Sequence, residues 1–167
     1  MKLLILGGTI FLGRHLVEAA LAAGHRVTLL NRGQDNPELF PEIEKLRGDR
    51  AGDLSALRGR RWEAVIDTCG YVPRVVRASA ELLAGSVEHY TFISSLSVYA
   101  DFSTLGLEES APVGKLRDET TEDVTGETYG PLKALCEQAA ERAGLQPQRE
   151  SEALQAWHSK SAEGSSS

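Results

Sequence analysis

Cysteine is scarce in this 167-residue chain: Cys69 and Cys136 stand alone, 67 positions apart. Neither has neighbours at metal-ligand spacing, so a disulfide framework and a cysteine-based metal site are both set aside. Long apolar runs are missing as well. The opening Leu3-Leu4-Ile5-Leu6 follows a lysine as a signal peptide would, but it breaks at Gly7-Gly8, too early for a secretory h-region or a membrane span. Positive charge is in short supply: the net charge is −6, which argues against attraction to nucleic acid or an anionic membrane by charge alone. Internal repeats are absent. These absences leave a cytoplasmic protein with no metal, nucleic-acid or membrane partner as the expectation.

What is present suits one globular domain. The composition is 41% hydrophobic and 25% charged, near the average for soluble domains, and the length is enough to bury a core. Leu3 to Leu6 reads as a strand buried on both faces, followed by a helix over Phe11 to Ala23 that Gly24 stops. Val27 to Leu30 reads as a second strand, Lys45 to Arg47 as a weaker third, and Glu63 to Asp67 as a fourth. A helix over Val75 to Ala84, a strand in "HYTFIS" (His89 to Ser94) and a helix over Pro131 to Ala143 complete the order. Strands alternating with helices predict an α/β domain with a doubly wound parallel sheet, because a parallel crossover needs a helix to return the chain.

Two stretches fall outside that order. Asp101 to Thr128 has no clear periodicity and is rich in acidic residues, Glu108, Glu109, Asp118 and Glu122 among them. It reads equally as a solvated surface loop and as a cover over a substrate. From about Gln146 the chain turns serine-rich and loses its aliphatics, so 1–145 is the expected domain and 146–167 a disordered or weakly helical tail.

The glycines Gly7, Gly8 and Gly13 stand between the first strand and the first helix. Such a turn brings backbone N–H groups and the positive end of a helix dipole to one point, which suits a pyrophosphate. A turn of this kind alone is a weak signal, and a tight strand-to-helix turn that binds nothing is the plain alternative. Its place after the very first strand strengthens the dinucleotide reading. An acidic residue at the end of the second strand would favour NAD by bonding the ribose 2′-hydroxyl. Asn31 and Arg32 stand there instead, and Arg32 could pair with a 2′-phosphate, so the sequence favours NADP over NAD. A solvated arginine in a turn is the other reading.

Three motifs in order, "GGTIFLG", "FISSLSVYA" and "YGPLK", resemble the short-chain dehydrogenase/reductase superfamily, in its extended and atypical NAD-dependent epimerase/dehydratase branch. The resemblance covers about residues 1–145. It implies a Rossmann fold whose cofactor turn is Gly7, Gly8, Thr9, Ile10, Phe11, Leu12 and Gly13, with Ile10 in place of the family's middle glycine. Asp49, with Arg50 beside it, matches the acidic residue that contacts adenine. Thr68, Cys69 and Gly70 match the segment that lines the cofactor after the fourth strand. Asp67 reads better as an ordinary strand-end residue.

The catalytic serine, tyrosine and lysine of the family match Ser95, Tyr129 and Lys133, with Ser94 as the second choice for the serine. Residues four apart on a helix share a face, so Lys133 can set its ammonium beneath the Tyr129 phenol. A tyrosine in water, with a pKa of about 10, is a poor base at neutral pH, and a neighbouring ammonium favours its phenolate. The tyrosine would exchange a proton with a substrate hydroxyl or carbonyl while hydride passes to or from nicotinamide, and the serine would orient the same oxygen. A lone tyrosine-lysine pair on a helix is commonly a packed tyrosine with a lysine stem along it. The serine and the glycine turn favour the catalytic reading.

The resemblance implies an epimerase, dehydratase or reductase acting on a nucleotide-sugar-like substrate, and it allows a homodimer. It also implies a fold truncated before the sixth strand and the substrate domain, so that activity of these residues alone is not expected. The alternative is a noncatalytic dinucleotide-binding module with a regulatory or scaffold role.

Overall fold

The computed structural model describes residues 1–103 and 106–143; the tail expected from 146 lies outside them. The elements are β1 (Lys2–Leu6), α1 (Phe11–Ala22), β2 (Arg26–Asn31), β3 (Glu44–Arg47), β4 (Ala64–Asp67), α2 (Pro73–Leu83), β5 (His89–Phe92) and α3 (Tyr129–Arg142), with single 3-10 turns at Ser55–Leu57 and Leu96–Val98. All strand pairings are parallel, in the order β3-β2-β1-β4-β5. The chain therefore reverses its direction of travel at β1, and the carboxyl ends of β1 and β4 open a crevice between them.

The period of a strand explains the layers. Leu4 and Leu6 point to one face of the sheet and join Val76, Ala80 and Leu83 of α2 and Cys136, Ala139 and Ala140 of α3. Leu3 and Ile5 point to the other face and meet Val17 and Ala20 of α1. All four β1 side chains are fully buried, each worth roughly 1.5–3 kcal/mol of transfer free energy. Helices thus cover both faces, and the doubly wound parallel sheet expected from the sequence is what forms.

The element ends differ from expectation for local reasons. Helix α2 begins at Pro73, earlier than expected, because proline at the first helical position has a suitable φ and needs no N–H partner. Helix α3 begins at Tyr129, whose amide donates to the Thr125 carbonyl at 2.9 Å, which places Pro131 within the first turn. Strand β5 stops at Phe92: the Ile93 amide still bonds Asp67 at 2.9 Å, but the Ile93 carbonyl turns away to accept from Lys133.

The acidic stretch before α3 is tied to the domain. Tyr99 and Val113 form an antiparallel bridge, and Arg74 at the start of α2 grips Glu122 with two hydrogen bonds of 2.7 and 2.9 Å. That pair is half exposed, so it locates the loop more than it stabilises the fold.

Candidate functional site

The turn between β1 and α1 is shaped by one close approach. A β-carbon on Gly13 would come within 2.9 Å of the backbone of Gly8, and Gly8 itself holds a φ of +96°. The two glycines let the first turn of α1 lie against the loop. The helix starts after Ile10 without a side-chain cap or an acidic residue in its first turn; the Gly13 amide donates to the Ile10 carbonyl at 3.0 Å, and no carboxylate in that turn answers the positive dipole end. Phe11 carries a φ of +40° and is 85% exposed, a strained and solvated position for an aromatic side chain.

A cavity of about 410 Å³ opens over this turn. It takes in all seven residues from Gly7 to Gly13, then Asn31 and Arg32, Asp49 and Arg50, and Thr68 and Cys69. Those are the expected cofactor residues, brought together from four separate loops; Gly70 is not in its lining. The Thr68 hydroxyl donates to the Leu6 carbonyl at 2.8 Å and joins the ends of β4 and β1. The Asn31 amide donates to the Gly7 carbonyl at 3.2 Å, while its oxygen accepts from Gly33 at 3.0 Å and from Arg47. Asp49 accepts from the Ala51 amide at 2.9 Å and shapes its own turn.

Arg50 faces inward. Its two terminal nitrogens grip the two oxygens of Asp67 at 2.6 and 2.7 Å, and one of them also reaches the Ser79 hydroxyl at 2.6 Å. Tyr90 donates to Asp67 at 2.7 Å, and the Cys69 amide donates to it at 3.2 Å. Asp67 is fully buried, so it anchors this side of the sheet and is more than the ordinary strand-end residue expected. Burial opposes charge on Arg50, but the Asp67 carboxylate more than offsets this and holds the guanidinium protonated. The same burial, reinforced by Asp67, pushes the Tyr90 phenol up.

The three expected catalytic residues stand beside this cavity and do not line it. Lys133 is 3% exposed; its ammonium donates to the Gly70 carbonyl at 2.9 Å and the Ile93 carbonyl at 2.5 Å, and it lies 4.0 Å from the centre of the Phe92 ring. Burial lowers its pKa, with the Asp67 charge acting against that shift. Tyr129, one turn earlier, packs against Tyr71 with ring centres 6.4 Å apart. Ser95 caps the 3-10 turn by accepting from the Ser97 amide at 3.1 Å, whereas the neighbouring Ser94 hydroxyl is buried without a partner.

Sequence reasoning missed Tyr71 and Asp35. Tyr71 lines the cavity, touches Tyr129 and lies 5.7 Å from the Lys133 ammonium, linking the cofactor cavity to the tyrosine-lysine pair. An aromatic residue directly after a glycine at a strand end was the available signal. Asp35 lines the same rim as Arg32.

No family model matches the sequence. The chain is 33% identical over 114 residues to the chloroplast stem-loop binding protein of 41 kDa b from Arabidopsis thaliana, a match that covers 59% of this chain and 30% of that protein. Among solved structures, it superposes on a UDP-galactose 4-epimerase with a TM-score of 0.66 and 21% identity over 83% of this chain and 50% of the other. It superposes on the Bordetella bronchiseptica enzyme WbmG, in complex with NAD, with a TM-score of 0.71 and 17% identity over 87% and 50%. A third match, MoeE5 in complex with UDP-glucose and NAD, has a TM-score of 0.65 and 20% identity over 90% and 50%. The chain thus spans about half the length of these proteins.

The NADP preference read from Arg32 does not stand. The cofactor carried by the structures of like fold is NAD, and Arg32 is not the sole charge at its rim, since Asp35 brings a carboxylate to the same edge. Among the described residues no group of His, Cys, Asp and Glu could hold a metal ion, and no helix is long and apolar enough to cross a membrane. With its parallel order β3-β2-β1-β4-β5, its glycine turn and its crevice at the carboxyl ends of the strands, the chain has the dinucleotide-binding Rossmann fold found in these epimerase and NAD-bound structures.

Proposed function

We propose that this chain is the NAD-binding part of a short-chain dehydrogenase/reductase of the extended or atypical kind, an epimerase, dehydratase or reductase acting on a nucleotide-sugar-like substrate in the cytoplasm. The observation that carries the reading is the placement of Lys133. A buried ammonium sits one helical turn after Tyr129, fixed by carbonyls beyond the ends of β4 and β5, and Tyr71 connects it to the cavity that gathers the glycine turn. Backbone carbonyls leave its charge unneutralised, so it can stabilise negative charge on the phenol.

In this reading the residues from Gly7 to Gly13, with Asn31 and Thr68, would hold NAD, which would supply hydride acceptance and return. Tyr129 moves a proton to and from the substrate oxygen, and Ser95 orients that oxygen; Ser94, with its unpartnered hydroxyl, is the second candidate for that role. Free thiols at Cys69 and Cys136 suit the cytoplasm.

A second reading is a noncatalytic dinucleotide-binding module; the name of the Arabidopsis relative, a stem-loop binding protein, describes binding and no reaction. One experiment separates the two: NAD is titrated in, and nicotinamide absorbance is then followed with a panel of sugar nucleotides, in a full-length homologue that also carries the substrate-binding part. Turnover that disappears in Tyr129→Phe, with NAD affinity nearly unchanged, supports the enzyme. NAD binding without turnover supports the module.

A further inference from the structure

The ground beneath the site holds two cations and one anion, Arg50, Lys133 and Asp67. Arg50 and Asp67 are joined by both guanidinium nitrogens, while Lys133 bonds neutral carbonyls. Asp67 and Lys133 both approach Gly70. A β-carbon on Gly70 would lie 3.4 Å from a carboxylate oxygen of Asp67, and the carbonyl of that same Gly70 accepts from the Lys133 ammonium at 2.9 Å. A free carboxylate so near a buried ammonium would normally capture it, because opposite charges removed from water are each stabilised by the other.

We propose that Arg50 is a positioning residue that sequesters the Asp67 carboxylate and so keeps the Lys133 ammonium available to the Tyr129 phenol. This rests on the reading of Lys133 as the partner of Tyr129. The guanidinium fork matches both carboxylate oxygens at once, Tyr90 takes a second bond on one of them, and the Cys69 amide takes the other. Asp67 is thereby held by three partners on the side of the sheet occupied by α2, and Lys133 is left to the carbonyls. Without Arg50 the arrangement has a competing solution, an Asp67–Lys133 pair, in which the ammonium is neutralised before it can serve the phenol.

The charged and titratable groups that act on Lys133 are Asp67 from β4, Arg50 from the loop after β3, and Cys136 and Glu137 from its own helix, with Asp67 the strongest of them. The Tyr71 ring and the Phe92 ring flank it. Removing Arg50 therefore does two things: it deletes a like charge and it releases Asp67. A double-mutant cycle separates them, since independent effects add and a redirected carboxylate does not.

The titration of the Lys133 ammonium is followed by isotope-labelled lysine NMR in the full chain, without substrate, for the wild type, Arg50→Met, Asp67→Asn and the double variant. The expected result is that Asp67→Asn lowers the Lys133 titration while Arg50 is present, and lowers it by roughly one pH unit more when Arg50 is Met, as loss of a direct ion pair should. Equal shifts in the two backgrounds overturn the proposal. If Arg50→Met does not fold, Arg50→Gln completes the same cycle, because it also removes the charge that holds Asp67 and keeps a polar group at the buried position. The readout is protonation of Lys133 and not turnover, so it fails or succeeds independently of the enzyme reading, which Tyr129→Phe tests.

Discussion

Gly130, the second residue of α3, lies against the carbonyl of Ser97 so closely that a β-carbon at position 130 would overlap its oxygen. The start of the helix that carries Tyr129 and Lys133 is therefore seated directly on the 3-10 turn that Ser95 caps. The three expected catalytic residues share one backbone contact.

That contact makes Gly130→Ala informative. In an exposed helix interior the change would stabilise by about 1 kcal/mol, since alanine is the better helix former. Here the neighbour is a backbone carbonyl that cannot rotate away, and overpacking of this kind costs about 1–3 kcal/mol. The sign should reverse: Gly130→Ala lowers the midpoint of denaturant unfolding, and it impairs turnover in the complete enzyme more than NAD binding. A stabilised variant would mean that α3 can slide on the turn.

Gly13→Ala tests the cofactor turn by the same logic at the other end of the crevice. Its β-carbon would press on the backbone of Gly8 at 2.9 Å and lift α1 away from the loop proposed to receive the pyrophosphate. The expected loss of NAD affinity is about tenfold or more, the effect of a little over 1 kcal/mol, with secondary structure retained. Calorimetric titration and circular dichroism on the same samples check both halves. Unaltered NAD affinity would place the dinucleotide elsewhere.

Much of this arrangement was legible in the sequence because it rests on local signals. Glycines at a strand end, alternating aliphatics in β1 and the four-residue spacing of Tyr129 and Lys133 are each readable along the chain, and all seven residues of the glycine turn do line the cavity. What could not be read was where charged side chains turn. Arg50 reads as a partner for the cofactor because it follows Asp49, and it does line the cavity, but its terminal nitrogens are held by a buried carboxylate 17 positions later. Asp67 looked ordinary because nothing near it in sequence reveals that Arg50, Tyr90 and the Cys69 amide converge on it. Arg32 suggested NADP because Asp35 had not been placed on the same rim. Ser95 ranked ahead of Ser94 by its match to the family, and the fold gives the two different tasks, one capping a turn and one left without a partner.

The last prediction concerns pH. Cys136 is fully buried on α3 in the core beneath the site, and burial, with some help from Asp67 and against the pull of Lys133, pushes its thiol from 9.0 up to about 12. The unfolded chain ionises this thiol at the lower value, so it binds fewer protons than the folded chain between the two. The contribution of the neutral thiol to stability is therefore whole below pH 9.0 and is lost as the pH climbs through about 12. Cys136→Ala should be less stable than the wild type at neutral pH by about 1 kcal/mol, through the lost packing of sulfur, and that gap should close and then reverse as the pH rises, since each pH unit above 9.0 costs the wild type about 1.4 kcal/mol. Tyr90 and Cys69, which burial also pushes up, and Lys133, which burial pushes down with the opposite sign, are common to both chains. They drop out of the difference to first order. Denaturant midpoints of the two chains at neutral pH and at about pH 11 give the comparison, and a gap that stays constant would show that Cys136 ionises in the fold as readily as in water.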